Sequence, residues 1–226
     1  MISGLTSVNF VTILSVIILL TAAIITISRN IVSMIFIYAG QSLLIVIIAT
    51  VLFFSEKSPT LLIIAFLTLL TKVLLIPYVM NNVQHKLKIK RDVEFHYLSP
   101  IGAIFLSVFV FFIVYSTFSN LLSVLMDKTQ LIIVTLSISL VFMGMIVMFT
   151  RKQTITNVIG YLTMENGVLL FSLFVTELPL LIEFLVLLDL IILIILATLL
   201  AFGIDSGIDE YHARINPFKR VLWREK

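Results

Sequence analysis

Four ionisable side chains stand inside otherwise apolar stretches of this 226-residue sequence: Lys72, Glu165, Glu183 and Asp189. A charge at the centre of a membrane-spanning helix costs about 2.5–3.5 kcal/mol on insertion scales, so each is a candidate functional group. At 1.5 Å of rise per residue, Lys72, Glu165 and Asp189 fall roughly 14–17 Å from the entry ends of their stretches, and Glu183 falls at about 8 Å. A near-coplanar row of this kind suits proton or ion transfer. The structural alternative is that the same charges pair across helix interfaces and fix register.

Glu183 and Asp189 are six residues apart, about 9 Å along a helix and about 120° around it, so they cannot face one partner. Asp189 is expected to meet Glu165 or Lys72, or a neighbouring subunit, and Glu183 to open toward another polar site. Three acids and one base carry a formal charge of −2. A low-dielectric surrounding opposes that excess, so the set is expected to take up protons unless partners supply cations.

Supporting residues surround the charges. In Gly160-Tyr-Leu-Thr-Met-Glu-Asn-Gly167, Asn166 is expected to donate to a carboxylate, while Gly160 and Gly167 allow close packing or a local irregularity. Pro77 removes a backbone hydrogen bond, which predicts a kink just past Lys72. Gln41 adds a mid-stretch polar group beside Gly40. His85, His96 and His212 lie in polar segments and read as solvated histidines, not ligands.

The elements that must position these groups are helices in lipid. The sequence is 61% hydrophobic and 12% charged, with mean hydropathy +1.21, which fits no water-solvated surface. Without cysteine, disulfides, thiolate chemistry and cysteine-held clusters are excluded. A net charge of +3 gives no footprint for nucleic acid. Seven apolar runs reach spanning length: Val8–Ile27, Ile31–Phe54, Leu61–Met80, Pro100–Leu125, Leu131–Phe149, Thr156–Thr176 and Leu178–Ile204. They are continuously apolar, which excludes the alternating strands of a barrel. The first run lacks the basic flank of a signal peptide and reads as a retained span.

Twelve Lys and Arg residues fall on one side of such a layout, against Lys57 and Lys128 on the other. The expected arrangement is therefore an all-α, seven-span membrane protein with its N-terminus outside and its C-terminus cytoplasmic. One polytopic domain covers residues 1–226. It comprises an N-terminal three-helix unit (1–80), a basic loop with a linking helix (81–130), a second three-helix unit (131–204) and a tail (205–226). Both units start outside, which makes helices 1–3 and 5–7 a candidate parallel repeat. Gln41 and Glu165-Asn166 then lie on second helices, and Lys72 and Glu183/Asp189 on third helices.

The segments Gly160-Tyr-Leu-Thr-Met-Glu-Asn-Gly and Leu178-Pro-Leu-Leu-Ile-Glu-Phe-Leu-Val-Leu-Leu-Asp189 resemble the hydrogenase-4 component E family. The C-terminal half of that family is similar to the three-helix K subunit of respiratory complex I. Tyr38-Ala-Gly-Gln-Ser-Leu-Leu and Leu70-Thr-Lys-Val-Leu-Leu-Ile-Pro77 extend the likeness to the first half. The resemblance implies a non-catalytic subunit in a prokaryotic plasma membrane, within a group 4 hydrogenase or related complex. Glu165 takes the place of the second-helix glutamate, and Glu183 or Asp189 that of the third-helix acid. Implied partners are antiporter-like and quinone-module-like membrane subunits, the lipid bilayer and a peripheral electron-transfer arm. The nickel–iron centre and iron–sulfur clusters belong to that arm, with no cofactor or metal in this chain.

Two other functions fit the residues: a subunit of a multi-subunit sodium/proton antiporter, whose K-like member ordinarily has three spans, and a purely structural membrane adaptor. A retinal protein is disfavoured, because the buried lysine lies in the third run and the lone tryptophan at the end of the chain.

Overall fold

A computed structural model describes residues 2–87, 100–122, 126–151, 153–175, 187–196 and 198. Among these residues the regular structure is helical throughout. The helices are α1 (Ile2–Ile27), α2 (Ile31–Glu56), α3 (Pro59–Thr68), α4 (Ile76–Leu87), α5 (Pro100–Leu122), α6 (Lys128–Thr150), α7 (Thr154–Ser172) and α8 (Leu187–Leu196). A π-helical segment, Leu69–Leu75, joins α3 to α4 without a break. Among the described residues, four helical stretches are long and apolar enough to cross a membrane: Asn9–Ile27, Ile31–Glu56, Pro59–His85 and Lys128–Thr150.

Local chemistry sets the ends. Asn30 caps α2 by accepting from the Val32 N–H at 3.1 Å. Lys57 turns the chain out of α2 in the left-handed region at φ 54°, its N–H donating to Phe53 O, and Pro59 starts α3 where its missing N–H costs nothing. Asp127 and Gln130 form a capping box on α6. Arg151, which follows α6, is buried and donates to Thr26 O and Ser28 O, each at 2.8 Å, so a cation satisfies the carbonyl end of α1. The α1–α2 turn and the α6–α7 turn therefore meet at one end of the bundle, where Arg29 also lies.

Helix α4 runs to Leu87, beyond the expected span end at Met80. Met80, Val83 and Gln84 are buried against the bundle, and that packing extends the helix into the polar stretch. Much of the expected basic loop (residues 88–99) lies outside the described residues.

Helix α6 packs on α7, α1 and α5, and α2 packs on α1, α3, the π segment and α7. Glycines bring α6 and α7 together. A Cβ at Gly144 would stand 2.6 Å from Met164 Cα, one at Gly160 2.6 Å from Met148 N, and one at Gly167 2.7 Å from Val141 N. Gly160 and Gly167 are thus contact residues, and Gly144 is their unforeseen counterpart.

The apolar core forms two clusters. One holds Leu14, Ile18, Ile45, Ile64, Leu140 and Leu169 among others; the second, toward the Arg29/Arg151 end, holds Met34, Ile76, Met80, Val147, Leu162 and Ile192. Gln41 and Ser42 on α2, Thr68 and Lys72 on the third rod, and Thr163, Glu165 and Asn166 on α7 fall between these levels, all buried. A polar layer divides the core.

Candidate functional site: a buried lysine–glutamate–aspartate cluster

Lys72 is the centre of that layer. Its Nζ lies 3.0 Å from Glu165 Oε1 and 3.5 Å from Asp189 Oδ1. Lys72 and Glu165 are each 1% exposed, which rules out snorkelling of the lysine to an interface. The Thr71 hydroxyl lies 2.9 Å from Leu67 O and 3.3 Å from Asp189 Oδ2, so its single hydrogen is shared between a backbone and a carboxylate acceptor. The cluster joins three rods, and the expectation that Asp189 meets Lys72 is what the geometry contains.

The π segment positions the cation. At the predicted irregularity, the turn containing Thr71 and Lys72 is widened, and the Ile76 N–H reaches back five residues to Thr71 O. Pro77 follows directly. It offers no N–H to Val73 O and its ring would crowd that carbonyl in a regular α-helix, so the irregularity forms on its N-terminal side. Thr71 and Lys72 thereby face α7 and α8 together.

Asn166 behaves differently from expectation. Its Nδ2 donates to Gln41 Oε1 at 3.1 Å and to Ser42 Oγ at 3.0 Å, not to a carboxylate. Gln41 Nε2 in turn donates to Thr21 Oγ1 at 3.0 Å and to Ile18 O at 3.3 Å, and Thr21 donates to Ile18 O at 2.6 Å. Both donors of each amide are consumed in one direction, from α7 through α2 to a backbone carbonyl of α1. This chain fixes three helices and ends there.

Several polar atoms of the layer have no hydrogen-bond partner among the described residues: Tyr38 Oη, Glu165 Oε2 and Asn166 Oδ1. Tyr38 is fully buried, lies beside Ser42, and is within electrostatic reach of Asp189 and Glu165. Tyr161, half-buried, lies within reach of the same two carboxylates. Sequence reasoning passed over both tyrosines because tyrosine is ordinary in a span; only the spacing Tyr161–Glu165, one helical turn, carried a signal. Glu183 lies outside the described residues, as do His96 and His212. His85 is exposed at the end of α4.

Formally, Lys72, Glu165 and Asp189 together carry −1, and one added proton makes the cluster neutral. Such a group can hold a proton in either carboxylate while the lysine balances the other. No group of three metal-ligating side chains occurs among the described residues. No family model, curated protein or solved structure matches the chain, and the family resemblance rests on the quoted residues alone.

Proposed function

We propose that the chain is a multi-pass subunit of an energy-converting membrane complex, in which Lys72, Glu165, Asp189 and Glu183 carry protons coupled to electron transfer in partner subunits. The single observation behind this reading is the sealed Lys72–Glu165–Asp189 cluster, one proton short of neutrality, between two apolar clusters. A purely structural charge set gains nothing from an unmatched carboxylate. Replacing a buried ion pair by apolar residues is often neutral or stabilising, so stability alone is a weak reason to keep one.

The full reading has seven spans in a prokaryotic plasma membrane, N-terminus outside and C-terminus cytoplasmic, with two three-helix units in parallel repeat. The pairing of equivalent helices supports the repeat: Gln41 and Asn166, both on second helices, bond at 3.1 Å, and Lys72 and Asp189, both on third helices, pair at 3.5 Å. Redox centres belong to the partners: a hydrogenase-type arm with a nickel–iron centre and iron–sulfur clusters, beside antiporter-like and quinone-module-like membrane subunits.

The test is Glu165→Gln in the native membrane. Coupled proton movement is lost while the particle keeps its mass and subunits; proton movement at the unaltered rate removes Glu165 from the path, and loss of assembly instead supports a structural adaptor. Mass and metal content of the particle in mild detergent separate the complexes. A large particle with nickel and iron supports the hydrogenase type, and one without nickel supports an antiporter or another complex I relative. A free chain of 25.5 kDa refutes a partner-driven mechanism.

A further inference from the structure

We propose that Lys72 sets the ion selectivity of the cluster: its ammonium occupies the position between Glu165 and Asp189 that a sodium ion would need, so the site accepts protons and bars sodium. The inference rests on the proton-carrying reading of the cluster and assigns the lysine its part in that reading.

A proton and a metal ion ask different things of a carboxylate site. A proton bonds to one carboxylate oxygen and needs no further ligand. A hard cation needs several oxygens around a single centre. The cluster holds the makings of such a set. Glu165 Oε1 and Asp189 Oδ1 converge on one point, and Thr71 Oγ1 stands 3.3 Å from the other oxygen of Asp189. Glu165 Oε2, on a side chain 1% exposed, has no hydrogen-bond partner among the described residues and is one more oxygen beside that point. The point itself is filled: Lys72 Nζ sits there, 3.0 Å from Glu165 and 3.5 Å from Asp189.

The occupant is a tethered cation in a sealed place. Lys72 is 1% exposed, and the π segment Leu69–Leu75 carries it on the same widened turn as Thr71. A sodium ion taken up by the same carboxylates would stand roughly 3.5 Å from the ammonium, and at an effective dielectric of about 20 that repulsion lowers its affinity by roughly 10³-fold. A proton escapes the conflict. It adds to an oxygen of one carboxylate while the ammonium keeps its ion pair with the other, and the cluster becomes formally neutral. Removing the ammonium alone leaves two facing carboxylates, a formal charge of −2 and a vacant point between them. The geometry thus makes loss of one side chain convert a site that excludes sodium into one that binds it.

The experiment uses the full chain in mixed micelles, equilibrated in sodium chloride or choline chloride at one pH and ionic strength, with the infrared carboxylate bands read as the difference between the two salts. Bands of the cluster are those altered in Glu165→Gln or Asp189→Asn. In the unaltered chain they are expected to respond to a pH change and to ignore sodium. Lys72→Met is expected to give a saturable sodium-induced shift, its affinity at least about 100-fold above any of the unaltered chain. Adding Glu165→Gln to Lys72→Met is expected to abolish that shift. A merely structural lysine would leave Lys72→Met as indifferent to sodium as the unaltered chain, and that result overturns the proposal. A sodium-induced cluster shift in the unaltered chain also overturns it and favours a sodium/proton antiporter, while a pH response in the same bands leaves the cluster's proton chemistry standing. Cluster bands that ignore pH overturn the proton reading itself, and the selectivity with it. Should Lys72→Met not fold, Lys72→Gln is read in the same way. Should neither fold, the unaltered chain decides: a sodium response refutes the assignment, and a pH response without one supports it.

Discussion

Lys72→Met isolates the electrostatics of the cluster, because methionine keeps much of the side-chain volume and removes only the ammonium. The lysine contacts Glu165 at 3.0 Å and Asp189 at 3.5 Å in a layer with almost no solvent. Its loss changes the formal charge of the cluster from −1 to −2. Removing one partner of a buried pair costs about 3–5 kcal/mol, so the expected destabilisation lies in that range. Glu165→Gln leaves Lys72 against Asp189 with the cluster formally neutral, and is expected to cost less than Lys72→Met. In the double variant the formal charge returns to −1, so the combined loss should fall short of the sum of the single losses by about 1–3 kcal/mol. The assay is reversible unfolding of the full chain in mixed micelles, followed by circular dichroism, for the four members of the cycle. A Lys72→Met variant within about 0.5 kcal/mol of the unaltered chain, the scatter of unremarkable surface changes, would refute the buried ion pair. Strict additivity would show that Lys72 and Glu165 do not touch.

The glycine contacts make a second set of expectations. Gly144→Ala and Gly160→Ala each push a Cβ into the facing helix backbone, and a loss of about 1–3 kcal/mol is expected in the same unfolding assay. Gly40→Ala meets nothing within 4 Å and should hold or raise stability by up to about 1 kcal/mol, through helix propensity. Arg151→Met strips the carbonyl end of α1 of its donor and is expected to cost about 1.5–3 kcal/mol, with Arg151→Lys recovering part of it, as read by the same assay. Gln41→Leu is expected to cost roughly 0.6–1.7 kcal/mol, the span of measured interhelical hydrogen bonds in lipid, and a larger loss would show that the amide chain also orders the cluster.

The ions of the site were legible because a charge in an apolar run contradicts its surroundings, and Lys72, Glu165 and Asp189 were found by that contradiction. Their pairing was only partly legible: helix periodicity excluded one shared partner for Glu183 and Asp189, but which rods adjoin is a tertiary fact. Asn166 illustrates the gap. Its neighbour in sequence is a carboxylate, yet its amide faces α2, 100° around the helix from Glu165. Arg151 looked like one more positive charge at the membrane edge, and folding turned it into a helix cap. Pro77 announced an irregularity without saying on which side it would form. Gly144 had no polar companion to mark it, and Tyr38 no contradiction with its apolar setting.

The division of the apolar core into two clusters bears on transmembrane voltage. Greasy packing on both sides of the polar layer insulates it, so the electric field falls across those clusters and not across a wet vestibule. Glu165 lies roughly 17 Å from the start of α7, about half of a ~30 Å hydrocarbon core. A proton arriving there from one side traverses about half of the field, roughly 1.2 kcal/mol for each 100 mV. Occupancy of the cluster then shifts about sevenfold per 100 mV at a fixed pH on that side. On the proposed proton-carrying reading, the cluster would sense membrane energisation, and its charge state should track the potential even when no current flows.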